Sequence, residues 1–427
     1  MKRFLAFVGI ALLAVLPAVV LRMTGWRPGP LLVTAIFGVA VLSAGFMLSW
    51  GAEAAEKRIS KGLILAVLAL VAVLPEYAVD MYYAYQAGKA PESNYVHYAA
   101  ANMTGANRLL VGVAWPLMAL LHWARTRQRM IPLAQVNMVE IGFLLLASLY
   151  AFVIVLKDRI QLWDTVVLIG IYGAYLWQAG RMPKVRTELD EDDQPGPAAA
   201  LGNLPPRRQW AWMGGLATVA AAVILISAEP FAESIVATGR LLNIDEFLLI
   251  QWLAPLASEA PAVMIAILFV TSGRAEGGLV TMISDKINQW TLLVAMLPLA
   301  MAIGAGGLID MPLDARQHEE FFLTAAQSIF GVSLLLGLRF SVASAVVLFV
   351  LFAVQLVVAF VFRNDPARAI ESLTAMAWLY VAASAVVFIR QAPQALGSFR
   401  LLRSAMAAHR LPAAAKAQAG EGTSSGA

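Results

Sequence analysis

The chain contains no cysteine, which excludes disulfides, thiolate metal centres and cysteine nucleophiles in one step. Charge is nearly as scarce. Asp, Glu, Lys and Arg together supply 14% of 427 residues, where a soluble domain carries about 25%. The only histidines are His97, His122, His318 and His409; they lie in or near predicted loops without metal-ligand spacing, so no imidazole centre is expected. No Gly-x-Ser-Gly nucleophile motif and no ordered acidic cluster on one membrane face is present, which argues against an intramembrane enzyme. The net charge of +4 is spread over loops rather than gathered in a patch, so nucleic acid is not an expected partner.

What the chain has in abundance is apolar sequence. Hydrophobic residues make up 60% and mean hydropathy is +0.73. Runs near twenty residues suffice to cross a hydrocarbon core of about 30 Å. Spans are predicted at 4–21, 30–50, 62–87, 99–122, 138–156, 162–180, 210–228, 245–270, 278–303, 320–338, 340–362 and 369–390. The first follows Lys2 and Arg3 and resembles a signal peptide, but more membrane sequence follows it, so it reads as a retained helix. Between spans six and seven, 181–209 carries Glu188, Asp190, Glu191, Asp192 and Asp193, then Pro195, Pro197, Pro205 and Pro206, the composition of a solvated linker. The chain thus divides into an N-terminal extra helix (1–29), a first half (30–180), the linker, a second half (210–362), a C-terminal extra helix (363–404) and a disordered tail (405–427).

Lys and Arg in alternate loops number twenty on the side of the N-terminus and nine on the other. The positive-inside rule then puts both termini in the cytoplasm of an inner-membrane protein, and an odd span count would have destroyed the alternation. Two cations fall inside spans: Arg108 and Lys286.

Carboxylates within a membrane are expensive and therefore functional candidates. The third span holds Leu74-Pro75-Glu76-Tyr77-Ala78-Val79-Asp80, which puts Glu76 and Asp80 on one helical face. Pro75 frees a carbonyl one turn earlier, so side-chain and backbone oxygens gather as a hard cation requires. The plainer reading is a proline kink with a neutralised carboxylate. The eighth span repeats the theme as Pro255-Leu256-Ala257-Ser258-Glu259-Ala260-Pro261-Ala262. Acidic residues precede both: Glu53 and Glu56 after the second span, Glu229 and Glu233 ending the seventh. Amides follow both: Asn102, Thr104 and Asn107 in the fourth span; Ser284, Asp285, Asn288 and Gln289 in the ninth. Equivalent segments five spans apart enter the membrane from opposite sides. That is an inverted repeat, the pointer to a transporter site near the midplane.

These residues resemble the sodium/calcium exchanger superfamily of calcium/cation antiporters. Its repeats each carry a Gly-Thr-Ser-Leu-Pro-Glu-like helix and then a Gly-Asn-x-x-Gly-Ser-Asn-like helix. Leu74-Pro75-Glu76 matches the first motif, with Ala72-Val73 replacing Thr-Ser, and Ala101-Asn102-Met103-Thr104-Gly105-Ala106-Asn107 matches the second. The resemblance covers 30–122 and 210–303. It implies an all-α polytopic membrane protein: a ten-helix exchanger core plus one helix at each end. It also implies antiport of Ca²⁺ or a related cation against Na⁺ or H⁺, with no cofactor. In repeat two, Ala262 stands at the family's glutamate and Glu259, three residues earlier, is expected to substitute. The implied cation-binding set is Glu76 and Glu259 as metal ligands, with Asp80, Asn102, Asn107, Ser284, Asp285 and Asn288 around them.

Arg108 and Lys286 fall at mirrored positions and are expected to pair with Glu76, Asp80, Glu259 or Asp285. They either replace bound sodium ions or form structural pairs. Glu229 and Glu233 are expected to cap helix contacts; Glu140, Asp164, Gln327 and Gln355 to bond between helices; and Trp50, Trp115, Trp123 and Trp163 to anchor span ends. Rival readings are a twelve-helix carrier with parallel repeats, an intramembrane enzyme, and a transport-inactive homologue.

Overall fold

In hydrocarbon every backbone N–H and C=O needs an internal partner, and for runs of this length the helix supplies one. The computed structural model describes residues 1–26, 28–55, 74–181, 199–202, 204–363 and 365–409, with backbone alone at 52, 53, 55, 199, 202, 366 and 392–409. Within them the chain forms twelve long rods: α1 (Lys2–Thr24), α2 (Pro30–Ala55), α3 (Leu74–Lys89), α4 (Tyr95–Thr126), α5 (Met138–Val155), α6 (Leu162–Ala179), α7 (Pro206–Leu242), α8 (Glu246–Thr271), α9 (Ala275–Ala305), α10 (Ala315–Leu335), α11 (Val342–Val361) and α12 (Pro366–His409). Nine of these are long and apolar enough to cross a membrane, α3, α6 and α10 being the others. Outward-facing Val346, Val347, Val350, Val354 and Val357 illustrate the lipid-facing belt, while Glu76 and Asp80 of α3, Asn102 and Asn107 of α4, Glu259 of α8 and Asp285 of α9 are buried.

Each predicted span has a rod, with adjusted ends. The first part of the third span (62–73), Glu56, the Glu53 side chain and most of the linker lie outside the described residues. The end of the linker is folded: Ala199–Gly202 is a helical turn, Leu201 is buried, and Gln209 inside α7 is bonded to the Ala54 carbonyl. Helix α7 continues past Glu229 and Glu233 to Leu242, because Pro230 is accommodated within it. Helix α12 reaches His409, so the tail expected from 405 starts no earlier than 410, outside the described residues.

Two tryptophans expected as interfacial anchors are internal. Trp115 is fully buried beneath Gly331, and Trp50 packs with Phe4, Phe7 and Phe46. Trp123 and Trp163 are exposed as anchors should be.

Loop pairing reports the alternation of the rods. Strands β1 (Met130–Pro132) and β4 (Arg339–Ser341) join the loops after α4 and α10. Strands β2 (Arg159–Ile160) and β3 (Met311–Pro312) join those after α5 and α9. On the β2–β3 face, Arg316 also meets Asp245 and Arg22 meets Glu229. Both strand pairs join loops of the same parity, as alternating crossings demand.

The internal repeat is visible in the backbone. Rods α4 and α9 each contain one π-helical turn, Leu110–Ala114 and Gln289–Leu293. Such turns inside α-helices are rare and gather at functional sites. Matching them pairs Leu110 with Gln289 and Asn107 with Lys286, one residue displaced from the motif alignment. Rods α3 and α9 approach backbone to backbone through Gly88, which faces the Met301 carbonyl, and Gly304, which faces the Tyr85 carbonyl. A Cβ at either would collide with those carbonyls.

Candidate functional site

Helices α3 and α8 carry their carboxylates to the centre of the bundle. Glu76 and Asp80 are completely buried and Glu259 is 4% exposed. Glu259 faces Glu76 on one side and Asp285 of α9 on the other. The Gln289 amide, at the start of the second π-turn, donates to both glutamates: to Glu76 Oε2 at 3.1 Å and to Glu259 Oε1. One NH₂ group thus ties the carboxylates of the two repeats together. Glu76 Oε1, Glu259 Oε2 and both Asp285 oxygens meet no donor among the described residues. Buried acceptors left in that condition are costly unless a proton or a cation satisfies them.

The other predicted residues surround this centre with partners of their own. Asp80 accepts from Asn102 Nδ2 at 2.8 Å and keeps its second oxygen free. Ser284 accepts from the Tyr175 hydroxyl at 2.9 Å, and Asn288 Oδ1 from Tyr77 at 2.7 Å. Asn107 receives Lys286: Nζ lies 2.6 Å from its Oδ1 and 3.1 Å from its main-chain oxygen.

The expected pairing of the two internal cations is not what the structure contains. Arg108 turns away from the carboxylate centre to Glu320 on α10 and lies over the Trp252 ring at 5.1 Å. Glu320 is supported in turn by Gln251 Nε2 at 3.0 Å. Lys286 ends on Asn107, with its ammonium 4.6 Å from the Trp290 ring centre. The physical reason lies in the π-turns. The extra residue re-aims the side chains beside it, and matching the two turns displaces Arg108 and Lys286 by one residue from the mirrored positions that gave them the same expected partners.

Sequence reasoning had not assigned Gln289, Tyr77, Tyr175 or Glu320 to the centre or its support. Gln289 was visible in the amide run, and Glu320 as a carboxylate opening a span; the tyrosines carried no signal. Among the described residues no group of three or more His, Asp or Glu takes the arrangement of a resident metal centre.

On the β2–β3 side of Asp80 stands a lattice of tyrosines. Tyr82 and Tyr95 both donate to Glu233 Oε1, at 2.8 and 2.5 Å, and Tyr83 donates to the Ala232 carbonyl at 3.0 Å. Tyr98 bonds to Glu246, which Arg240 holds at 2.6 Å. Tyr83 is fully buried between this lattice and Asp80. Glu233 thus makes helix contacts as expected, and Glu229 takes the Arg22 guanidinium. Gln355 donates to Gln327, and Tyr150 of α5 to Asp164 of α6. Glu140 keeps one oxygen without a donor among the described residues.

Comparison with known proteins agrees with this geometry. The family described as sodium/calcium exchanger protein matches residues 29–179 and 212–361. The crystal structure of an H⁺/Ca²⁺ exchanger, CAX, is 38% identical, covers 94% of this chain and 98% of its own, and superposes with a TM-score of 0.86. The sodium-calcium exchanger NCX_Mj is 16% identical over 76% of this chain and 98% of its own, with a TM-score of 0.53. Native YfkE is 12% identical over 83% and 98%, with a TM-score of 0.60. At those identities the last two show the fold alone. No curated protein sequence matches the chain.

Proposed function

The chain belongs to the sodium/calcium exchanger family, and on that premise we propose that it is a proton-coupled Ca²⁺ antiporter working through Glu76 and Glu259. As a family member it is a multi-pass membrane cation antiporter rather than an enzyme. The observation that carries the choice of proton is the set of buried carboxylate oxygens without donors on Glu76, Glu259 and Asp285. Each can be satisfied by a proton or by a dehydrated divalent cation. The two occupants are mutually exclusive, and that exclusion is antiport. Two protons on the glutamates carry the same charge as one Ca²⁺, so the centre need not change its net charge through the cycle. The likeness to the H⁺/Ca²⁺ exchanger supports the same choice.

The remaining roles follow from position. Asp80, held by Asn102, stands between the centre and the tyrosine lattice, where a cation would first lose water. Ser284 and Asn288 are held beside Asp285 and Gln289 on α9 by Tyr175 and Tyr77. Helices α2 and α7 pack along each other, and Gly45 of α2 lies against both Pro261 and Pro75. Sliding of α2 and α7 against the remaining helices of the two halves (30–180 and 210–362) would expose the centre to each face in turn. The positive loops put both termini in the cytoplasm of the inner membrane, with the tyrosine lattice on the outer face.

The test is Ca²⁺ uptake into liposomes of purified protein under an imposed pH gradient and, separately, a Na⁺ gradient. Uptake should follow the pH gradient and vanish in Glu76→Gln and in Glu259→Gln. Full activity in Glu76→Gln would overturn the assignment of the centre.

A further inference from the structure

Lys286 is completely buried and reaches across the repeat boundary. Its nitrogen lies between two oxygens of one residue, the side-chain and main-chain oxygens of Asn107, and faces a tryptophan ring. The matched π-turns make Lys286 and Asn107 equivalents in the two repeats. Equivalent residues that touch must do so at the pseudo-twofold axis, which here also brings Glu76 and Glu259 together. Two oxygens of one residue, an aromatic face and nearby carboxylates form the surroundings of a small monovalent cation. In this chain a tethered amine occupies them.

We propose that Lys286 is the residue that denies this exchanger a second, monovalent cation, by filling the Asn107 cradle with its own nitrogen. The inference rests on the antiport reading above and deepens it, because it names what fixes the counter-ion. The denial is spatial. A Na⁺ ion needs the Asn107 oxygens within coordination distance, and Nζ already stands there. It also holds through the whole cycle, since a tethered amine cannot be exported. Arg108 does not do the same on the other side of the axis, because its guanidinium is committed to Glu320. One cradle is plugged from within, and the carboxylate centre is left as a site for a single divalent cation.

Shortening the side chain should open the cradle. In detergent, the thermal midpoints of wild type, Lys286→Ala, Lys286→Met and Lys286→Ala/Asn107→Ala are compared in Na⁺ and in choline at equal ionic strength. Wild type and Lys286→Met, whose longer chain still fills the space, should show no Na⁺-specific shift. Lys286→Ala should gain one, and the double variant should lose it again. Lys286→Thr, with a small polar side chain, replaces Lys286→Ala if that variant does not fold. In liposomes the opened variant should also take up Ca²⁺ in response to a Na⁺ gradient to which wild type is indifferent. A folded Lys286→Ala with no Na⁺ shift, or a wild type with the same shift, overturns the proposal. Because the midpoint comparison reads Na⁺ binding without transport, it stands apart from the antiport reading, which falls if wild type fails to take up Ca²⁺ under a pH gradient.

Discussion

The buried pair formed by Arg108 and Glu320 gives the sharpest quantitative prediction, because both side chains are only 2% exposed. Replacing Glu320 by Leu leaves a guanidinium in the bundle with Trp252 and the Thr104 carbonyl, 3.3 Å from its Nε, as remaining partners. Breaking a buried pair from one side costs about 3–5 kcal/mol. The same change strips Gln251 Nε2 of its acceptor, which adds about 1–3 kcal/mol. The arene offsets about 1 kcal/mol of this, so Glu320→Leu should destabilise by roughly 3–7 kcal/mol. The double variant Arg108→Met/Glu320→Leu exchanges a desolvated ion pair for apolar volume and should lie within about 2 kcal/mol of wild type. The expected signature is strong non-additivity, read from equilibrium unfolding in mixed micelles by tryptophan fluorescence. The double variant should also retain pH-driven Ca²⁺ uptake, since the pair fixes helices α4, α8 and α10 rather than touching the cation. Single losses that simply add up in the double variant would refute the reasoning.

Three further outcomes are expected. A Cβ at Gly45 would stand 2.6 Å from Pro261 Cγ and 3.3 Å from Pro261 Cβ, so Gly45→Val should cost about 1–3 kcal/mol through overpacking. It should slow Ca²⁺ uptake far more than it weakens the Ca²⁺-induced thermal shift, since it obstructs the α2 crossing and not the carboxylates. Glu233→Leu deprives Tyr82 and Tyr95 of their shared acceptor; in this cysteine-free chain, a single cysteine at Ala87 should then be labelled faster by an impermeant thiol reagent applied to the β2–β3 face. Asp314 caps α10 by accepting from Gln317 N at 2.7 Å and pairs with His97 at 3.1 Å. Burial pushes its pKa up, but His97 and the helix-end N–H groups outweigh that and hold it below the usual carboxylate value. A depressed folded-state pKa stabilises above the unfolded value near 3.9 and loses that stability as pH falls through the folded one. Asp314→Asn should therefore flatten the fall of the thermal midpoint between about pH 5 and 2.

The twelve rods and their inverted repetition were legible because lipid reduces the choice to apolar length and the alternation of charge. The burial of Glu76 and Glu259 inside the bundle was legible for the complementary reason: a carboxylate in an apolar span must be taken out of hydrocarbon. The partners of Arg108 and Lys286 were not. Motif alignment put them at mirrored positions and gave both the same expected neighbours. The π-turn that follows each inserts a residue that a period of 3.6 does not predict, and Arg108 turned out to α10 while Lys286 turned in to the axis. Trp115 misled for a related reason. Tryptophan near a span end is usually an anchor, but α4 is longer than its predicted span and carries Trp115 into the core.

That broken symmetry bears on how one centre serves two faces. An inverted repeat with identical halves would present the same cation surroundings to both sides, with every ligand duplicated. Here the glutamates are duplicated and joined by a single amide, Gln289, which has no counterpart in repeat one because Leu110 occupies the equivalent place. On the proposed site, a divalent cation that takes the donor-free Glu76 Oε1 and Glu259 Oε2 also draws on their second oxygens, the two that the Gln289 amide holds, so the amide and the cation compete for the same carboxylates. On that reading Gln289 stabilises the cation-free arrangement and gives way when the cation binds. Gln289→Leu should raise apparent Ca²⁺ affinity in the thermal-shift assay while lowering turnover, because the empty centre would no longer close for the return step. An unchanged affinity in a folded Gln289→Leu protein would show that the amide follows the carboxylates rather than competing with the cation.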